Sequence, residues 1–535
     1  MLCGFLLYKT GKITEEGSKS IANLLPWAVI PSTLINSFLI EYSDEKMKQL
    51  ETDVAIVAAG PAGLCAAVAA AEGGAEVMVF EKTETVGGTA NMGMGPFGVE
   101  SKLQKRNLIG LTKEEAFRRF MDYTHWKVDA QLVHDYIWKS GSTIDWLEAM
   151  GVVFAGAEKN FPDSEATWHV VQPEGGGRPG PRAASTMNKV IYERALELGV
   201  QFFLNTPVKE LIKDEGEIIG LRAVDKDGEE YEVYAGAVIV ATGGFGNNAE
   251  MVKEYTGFTR GKDMFNREIP GIVGDGLNMC WAVGAGKSNM EMELIIGQPL
   301  PGAGTGEHPQ ATAFRQACPV CINKSGYRVC DESVMQNSSV AGNIIERQQD
   351  KTVYMIISDS IIEHFRQNDI DYPSAVFHDS PCDNFEEAWA QLSEQYPDIC
   401  VQADSVEELA EKLGVSVKNL TKTLEEYNHF CDINCDENFG KQRRYLKKLE
   451  GRLYGYRLGC SAYGSLGGIK IDHGFKVLTE DYEVIPGLYA AGTDVCDLYA
   501  GTYYYYFPGN TMGFAINSGR MAGEYAARYA LGYDD

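Results

Sequence analysis

Hydrophobic positions along this chain alternate between short unbroken runs and helically spaced stretches, a succession that predicts an α/β protein. Residues 54–58 form a wholly apolar run of the kind that fills a strand buried on both faces. Gly60 and Gly63 follow, and the Ala-rich stretch 64–71 continues as a helix. A second apolar run at 77–80 predicts a second buried strand. Residues 113–123 and 133–150 carry apolar side chains at helical spacing. Next, 186–199 reads as a helix leading into a strand at 201–204, and 208–224 with 231–240 read as strands of a small antiparallel layer. Gly- and Pro-rich stretches at 173–181 and 301–309 are loops. From there to about residue 461 the composition turns charged and helical, with helices expected at 385–394, 406–413 and 417–430. The buried style returns at 467–472 and 487–494, both read as strands, and Gly509 opens a last helix running through Tyr529. The expected fold is α/β: a discontinuous Rossmann-like domain over 51–295 and 465–535, an α+β capping domain inserted at 296–464, and an apolar extension over 1–50.

The first strand, turn, helix and strand end in an acid, and that order has a chemical meaning. Gly60 and Gly63 let the chain turn tightly and bring a helix N-terminus, with Ala62, against a pyrophosphate. Glu81 stands at the end of the second strand, where an acid binds ribose hydroxyls, with Lys82 beside it. The first glycine of the usual Gly-x-Gly-x-x-Gly pattern is Ala58 here. After the acid, Gly87, Gly88 and Thr89 offer unhindered backbone amides to a long, extended cofactor, which favours FAD over a nicotinamide.

Charge and cysteine usage narrow the class further. A net charge of −27 excludes nucleic acid and anionic lipid as natural partners, since both reward a basic surface, and favours a cytoplasmic enzyme. Twelve scattered cysteines read as reduced thiols rather than a disulfide framework. Cys318 and Cys321 form one Cys-x-x-Cys, but no second pair stands at ligand spacing, so no metal is expected. Residues 21–40 are uncharged and long enough to span a bilayer, though Pro26 and Pro31 interrupt them; any membrane contact is expected there alone. Residues 5–50 resemble the amino-terminal piece of an auxin-efflux-carrier permease. Such a fragment transports nothing alone, and the working enzyme is expected to begin near Met47.

The motifs at 57–63, 81–89, 241–246, 274–276, 467–472, 487–494 and 509–523 together resemble the fumarate reductase and succinate dehydrogenase flavoprotein family, across nearly everything after residue 50. That resemblance implies a Rossmann-like FAD domain, a mobile cap, and hydride exchange between flavin N5 and a carbon–carbon double bond activated by a carbonyl. Its cofactor contacts extend to Val208, Thr242, Gly243, Asp275, Gly492, Asp494, Asn510, Thr511 and Met512. Members with covalent FAD use a histidine near the Gly-Gly turn. None lies between Glu81 and Glu100, so dissociable FAD is expected.

The family's fumarate-handling residues are absent. The proton-donating arginine falls on Gln336, a carboxylate-binding histidine on Gly464, and a second arginine on Tyr506. A dianion in such a site would carry a desolvation cost of several kcal/mol per ion. A neutral, bulky enone of the 3-oxo-Δ4 or Δ1 steroid kind suits it better. By resemblance to ketosteroid dehydrogenases, Tyr505 hydroxyl and Gly509 N–H are expected to hold the carbonyl oxygen. Tyr463 or Tyr506 would protonate the neighbouring carbon, and Arg315 falls on a family proton-path position whose acid partner is Thr312 here. If the four tyrosines before Phe507 form a strand, at most about two face one pocket. No second dinucleotide fingerprint stands out, so electrons are expected from an external reductase or small carrier. The competing readings are an enoate reductase of the fumarate or urocanate kind and a non-catalytic flavin-binding protein.

Overall fold

The structure is a computed structural model that describes residues 47–265, 269–302, 307–372 and 381–533, with residues 14 and 17 besides. The uncharged stretch 21–40 and nearly all of the carrier-like segment lie outside these residues. Strand β1 (Lys48–Val57) already belongs to the main sheet and begins before the expected boundary at 51. Among the described residues no helix is long and apolar enough to cross a membrane.

The main sheet has eight strands. Its parallel centre runs β15 (Val484–Ala490), β8 (Glu230–Val240), β1, β2 (Val77–Phe80) and β5 (Gln201–Phe203). Strand β14 (Lys476–Leu478) caps β15 in antiparallel fashion, while β7 (Glu217–Val224) and β6 (Val208–Asp214) extend from β8 as the expected antiparallel layer. The last four residues of β1, 54–57, and all of β2 are apolar and buried, as suits a parallel sheet covered on both faces. Helix α1 (Pro61–Glu72) is Ala-rich for a steric reason: the last helix crosses it almost backbone to backbone. A Cβ at Gly519 would lie 2.2 Å from Ala62 O, and one at Gly523 would lie 2.3 Å from Ala66 O. A small hairpin of β3 (Phe154–Glu158) and β4 (Trp168–Val171) stands beside this layer.

The inserted layer is built on a second sheet, ordered β10 (Val320–Asn323), β11 (Val353–Ser358), β13 (Leu453–Leu466), β12 (Cys400–Ala403). Strand β13 is long enough to serve two neighbours in succession. Its first half pairs with β11 and β12, and its second half pairs with β9 (Glu291–Gly297), which therefore joins this sheet ahead of residue 296. Helices at Phe385–Gln395, Val406–Leu413 and Val417–Ile433 cover it where the sequence pattern placed them. Within the layer, Arg328 binds Glu332 and Asp436 and Lys441 binds Glu332, so this buried cluster is internally compensated.

Residues 467–472 do not form the strand expected of them. Gly467 and Gly468 take φ of 78° and 129°, and the N–H groups of Gly467 and Ile469 donate to Thr493 and Asp494 carbonyls rather than to a ladder. The two glycines turn this segment over the 492–495 turn that borders the site.

Candidate active site

A cavity of about 570 Å3, lined by residues of both layers, runs between them. One end is made of backbone and small side chains from the ends of the parallel strands. Gly60 opens onto it with no heavy atom within 4 Å of where a Cβ would sit, and a Cβ on Gly88 would meet Gly60 Cα at 3.3 Å. The N-terminus of α1 has no side-chain cap and no acid in its first turn, and the same holds for the last helix, α4 (Asn510–Ala530); α2 (Asp275–Ala282) and α3 (Ser338–Glu346) are two of the helices between them. Uncapped helix N-termini on a cavity present free N–H groups to an anion. Ala62, Val208, Thr242, Gly243, Gly492, Thr511 and Met512 line the same end, as do Glu81, Lys82, Gly88, Thr89 and Asp275.

The carboxylates at this end are already engaged. Glu81 is 7% exposed and accepts Ala59 N–H and both Thr83 N–H and Thr83 hydroxyl, each at 2.8 Å. Lys82 pairs with Asp275 at the start of α2. Asp494 is fully buried and lines nothing. It accepts the N–H groups of Thr242, Gly243 and Gly244 at 2.5, 3.3 and 2.7 Å, plus the Thr242 hydroxyl. Burial raises its pKa against those donors. Asp494 thus ties the turn after β8 to the turn after β15. Asn510 is a buried brace as well, bonded to Tyr504 O and to the Tyr136 hydroxyl, and Gly63 serves helix packing, since a Cβ there would lie 2.0 Å from Ala58 O.

The other end is lined by side chains of the inserted layer and of the segment before α4. Arg315, Gln336, Tyr463, Tyr505 and Gly509 all line it. Tyr506 does not: its ring packs edge-on against Phe161 and Tyr123 and beside Tyr504. Residues 503–507 turn rather than extend, with Tyr505 N–H donating to Tyr503 O, and it is Tyr503 and Tyr505 that reach the cavity. Gly509 has φ 87°, and a Cβ on it would fall 2.7 Å from Phe97 N, so no side chain fits there. Arg315 is largely buried, donates to Ser338 Oγ at 2.7 Å from α3, and leaves Nε without a partner. Burial lowers its pKa, while the phenols of Tyr505, Tyr463 and Tyr456 raise it. Gln336 Oε1 is buried and unbonded too.

The sequence profile of the FAD binding domain family matches residues 53–506. The chain belongs to that family. It is an FAD-dependent oxidoreductase of the fumarate reductase type. A vinyl phenol reductase of Lactiplantibacillus plantarum is 31% identical over 492 residues, covering 89% of this chain and 96% of the relative. A fumarate reductase (cytochrome) of Shewanella frigidimarina is 28% identical over 480 residues, covering 89% of this chain and 77% of the relative. In fold, the flavoprotein matches the crystal structure of a 3-ketosteroid Δ4-(5α)-dehydrogenase from Rhodococcus jostii with a TM-score of 0.70. That match has 24% identity and covers 90% of this chain and 98% of that one.

Sequence reasoning about the flavoprotein missed Glu293, Tyr503 and Phe161, which all line the cavity. A signal for Glu293 exists: it is a carboxylate inside the apolar run of β9. Cys318 does not pair with Cys321. Its thiol lies 3.3 Å from Asp371 Oδ1, and with His364 these form a cluster whose ligand atoms lie within 4.8 Å of one another. Burial and then Asp371 raise the Cys318 pKa well above its ordinary value, against Lys441 and Lys447, whose positive charges also oppose a cation there.

Proposed function

We propose that the flavoprotein reduces a carbon–carbon double bond conjugated to a neutral oxygen function. Bulky enones such as 3-oxo-Δ4 or Δ1 steroids are the leading substrate class, and a 4-vinylphenol is a compact counterpart that the Lactiplantibacillus relative's name brings in. The observation that carries this reading is Arg315, a largely buried guanidinium bonded to Ser338, set among tyrosines and without a carboxylate partner among the described residues. One fixed cation balances the single negative charge that develops on one oxygen during reduction. A dianion brings a second charge, and Gln336 and Gly464 supply no cation to meet it.

FAD, when bound, would supply a hydride equivalent from N5, which for an enone goes to the carbon β to the carbonyl. Tyr505 hydroxyl and Gly509 N–H hold that oxygen, Arg315 stabilises the charge it gains, and Tyr463 delivers the proton to the adjacent carbon. One hydride and one proton thus complete the reduction. FAD is held without a covalent bond, a reading supported by the lack of any histidine between Glu81 and Glu100, so acid precipitation releases it. Electrons come from a separate reductase or small carrier. The eleven free cysteines among the described residues support a reducing, cytoplasmic setting.

The test is anaerobic titration of the dithionite-reduced holoprotein with 4-androstene-3,17-dione, 4-vinylphenol, fumarate and urocanate. Reoxidation by the first two alone is expected. Reoxidation by the carboxylates alone makes it an enoate reductase, and no reoxidation makes it a flavin-binding protein without this activity. With an accepted substrate, Tyr505→Phe is expected to slow reoxidation and Tyr506→Phe to leave it unchanged.

A further inference from the structure

Two carboxylates on β9 have no part in the reading above. Glu291, Glu293 and Ile295 alternate along the strand and so share one face. Glu293 and Ile295 line the cavity, while Glu291 is only partly buried. Glu293 is 3% exposed and accepts the Thr511 hydroxyl at 2.5 Å. Thr511 Oγ1 also lies 3.0 Å from the Tyr503 hydroxyl, which receives Thr511 N–H at 3.2 Å.

Among the described residues no Lys or Arg stands against this pair of acids. The titratable groups facing Glu293 are Tyr503, Tyr499 and Cys496 from the segment before α4, and Glu291 shares its strand. Burial accordingly pushes the Glu293 carboxyl up to about 7, against the Thr511 and Tyr503 hydrogen bonds. Glu291 is also pushed up to about 7, first by burial and then by Asp497, against the Gly501 N–H it accepts. Its second oxygen is unbonded. Beyond it, Asp497 holds the side chain of Asn289. A two-residue step along a strand spans about 7 Å between Cα atoms, a spacing that a short chain of two waters between the carboxyls covers.

Each reduction of a double bond consumes one proton at carbon, and recharging FAD with two electrons takes up another. Both must reach a cavity enclosed between two layers. We infer that Glu293 is the proton-relay residue of this site, taking protons from solvent by way of Glu291 and passing them through the Thr511 and Tyr503 hydroxyls into the cavity. Each hydroxyl breaks one O–H bond onward as it forms one behind, so only Glu293 changes charge, from acid to carboxylate, until Glu291 and water restore its proton. No electron moves in the relay. The inference rests on the proposed reduction for the final proton acceptor.

The test has one arm without substrate and one with it. Infrared difference spectra of the wild-type holoprotein between pH 6 and pH 8 are expected to show loss of protonated-carboxyl carbonyl absorption. Glu293→Gln, which keeps the shape and still accepts from Thr511, is expected to remove one component of that change, and Glu291→Gln the other. In dithionite-driven turnover of an accepted substrate, where the relay must restore the Tyr463 proton in every cycle, wild-type rate falls as pH rises through about 7. E293Q is expected to be about 100-fold slower, with that limb flattened and flavin content unchanged. Glu293→Asp restores part of the rate and the limb. Absence of a titrating carboxyl in the wild type overturns the relay, as does an E293Q enzyme with wild-type rate and pH profile. Joint loss of flavin and activity that E293D fails to rescue reduces Glu293 to a structural part. If E293Q does not fold, the wild-type spectra and E291Q decide. If the spectra hold while no substrate of the panel is reduced, the proposed function fails and the buried acid pair stands.

Discussion

At the dinucleotide end of the cavity the buried carboxylates are saturated with donors, whereas at the substrate end a guanidinium nitrogen and an amide oxygen are left unbonded. Asp494 takes three N–H groups and a hydroxyl, and Glu81 takes three donors. Arg315 Nε and Gln336 Oε1 have nothing. A buried polar atom without a partner costs about 1–3 kcal/mol, so the second arrangement gains from a water or ligand atom that completes it. The first end is a scaffold that shapes backbone, and the second is a set of open valences that read a substrate.

Removing a saturated acid breaks the comparison most severely. Asp494→Ala orphans three buried N–H groups, each worth about 1–3 kcal/mol, and is expected to abolish flavin retention and lower Tm, read from absorbance after gel filtration. Retained flavin would show that the two turns hold without their brace. Arg315→Met strikes the other end. Turnover should fall about 10²–10³-fold, as for loss of an oxyanion donor, with flavin content kept.

Glu293→Gln sharpens the contrast through pH. A buried acid with a raised pKa binds its proton more tightly in the folded state, so its contribution to stability is lost as pH rises from about 4.5 to about 7. The variant should therefore be more stable than wild type at pH 8, by roughly 3 kcal/mol at most, and show no gain at pH 4.5; denaturant melts at both pH values check this. The smallest effect belongs to the glycine fingerprint. Ala58 takes φ 80°, where a Cβ costs about 1–2 kcal/mol. Ala58→Gly should add about 1 kcal/mol with unchanged flavin content, and a loss of stability would mean the turn needs the methyl.

The dinucleotide end was legible in the sequence because its parts are local: strand, turn, helix and acid fall within about thirty residues of one another. The strands expected at 54–58 and 77–80 are present for that reason, the first ending at Val57. The substrate end draws on four separated segments, so which tyrosines meet there depended on a turn at 503–507 that residue pattern does not disclose. Glu293 escaped notice because its burial follows from pairing with β13, far away in sequence. The misread strand at 467–472 has an apolar pattern, but its N–H groups go to the 492–495 turn, a tertiary preference that overrode it.

Strand β13 belongs to both layers at once. It starts in the centre of the inserted sheet and ends where Ser465 Oγ accepts Phe245 N–H from the flavin layer at 2.7 Å. Its pairing with β9 slips between Ala462 and Ser465, a bulge that holds Tyr463 and Gly464 at the cavity wall. The two layers are thus joined through one continuous ribbon. Tyr463, the proton donor proposed above, sits at the irregular step of that ribbon, so its place at the cavity wall depends on how the two layers are held together.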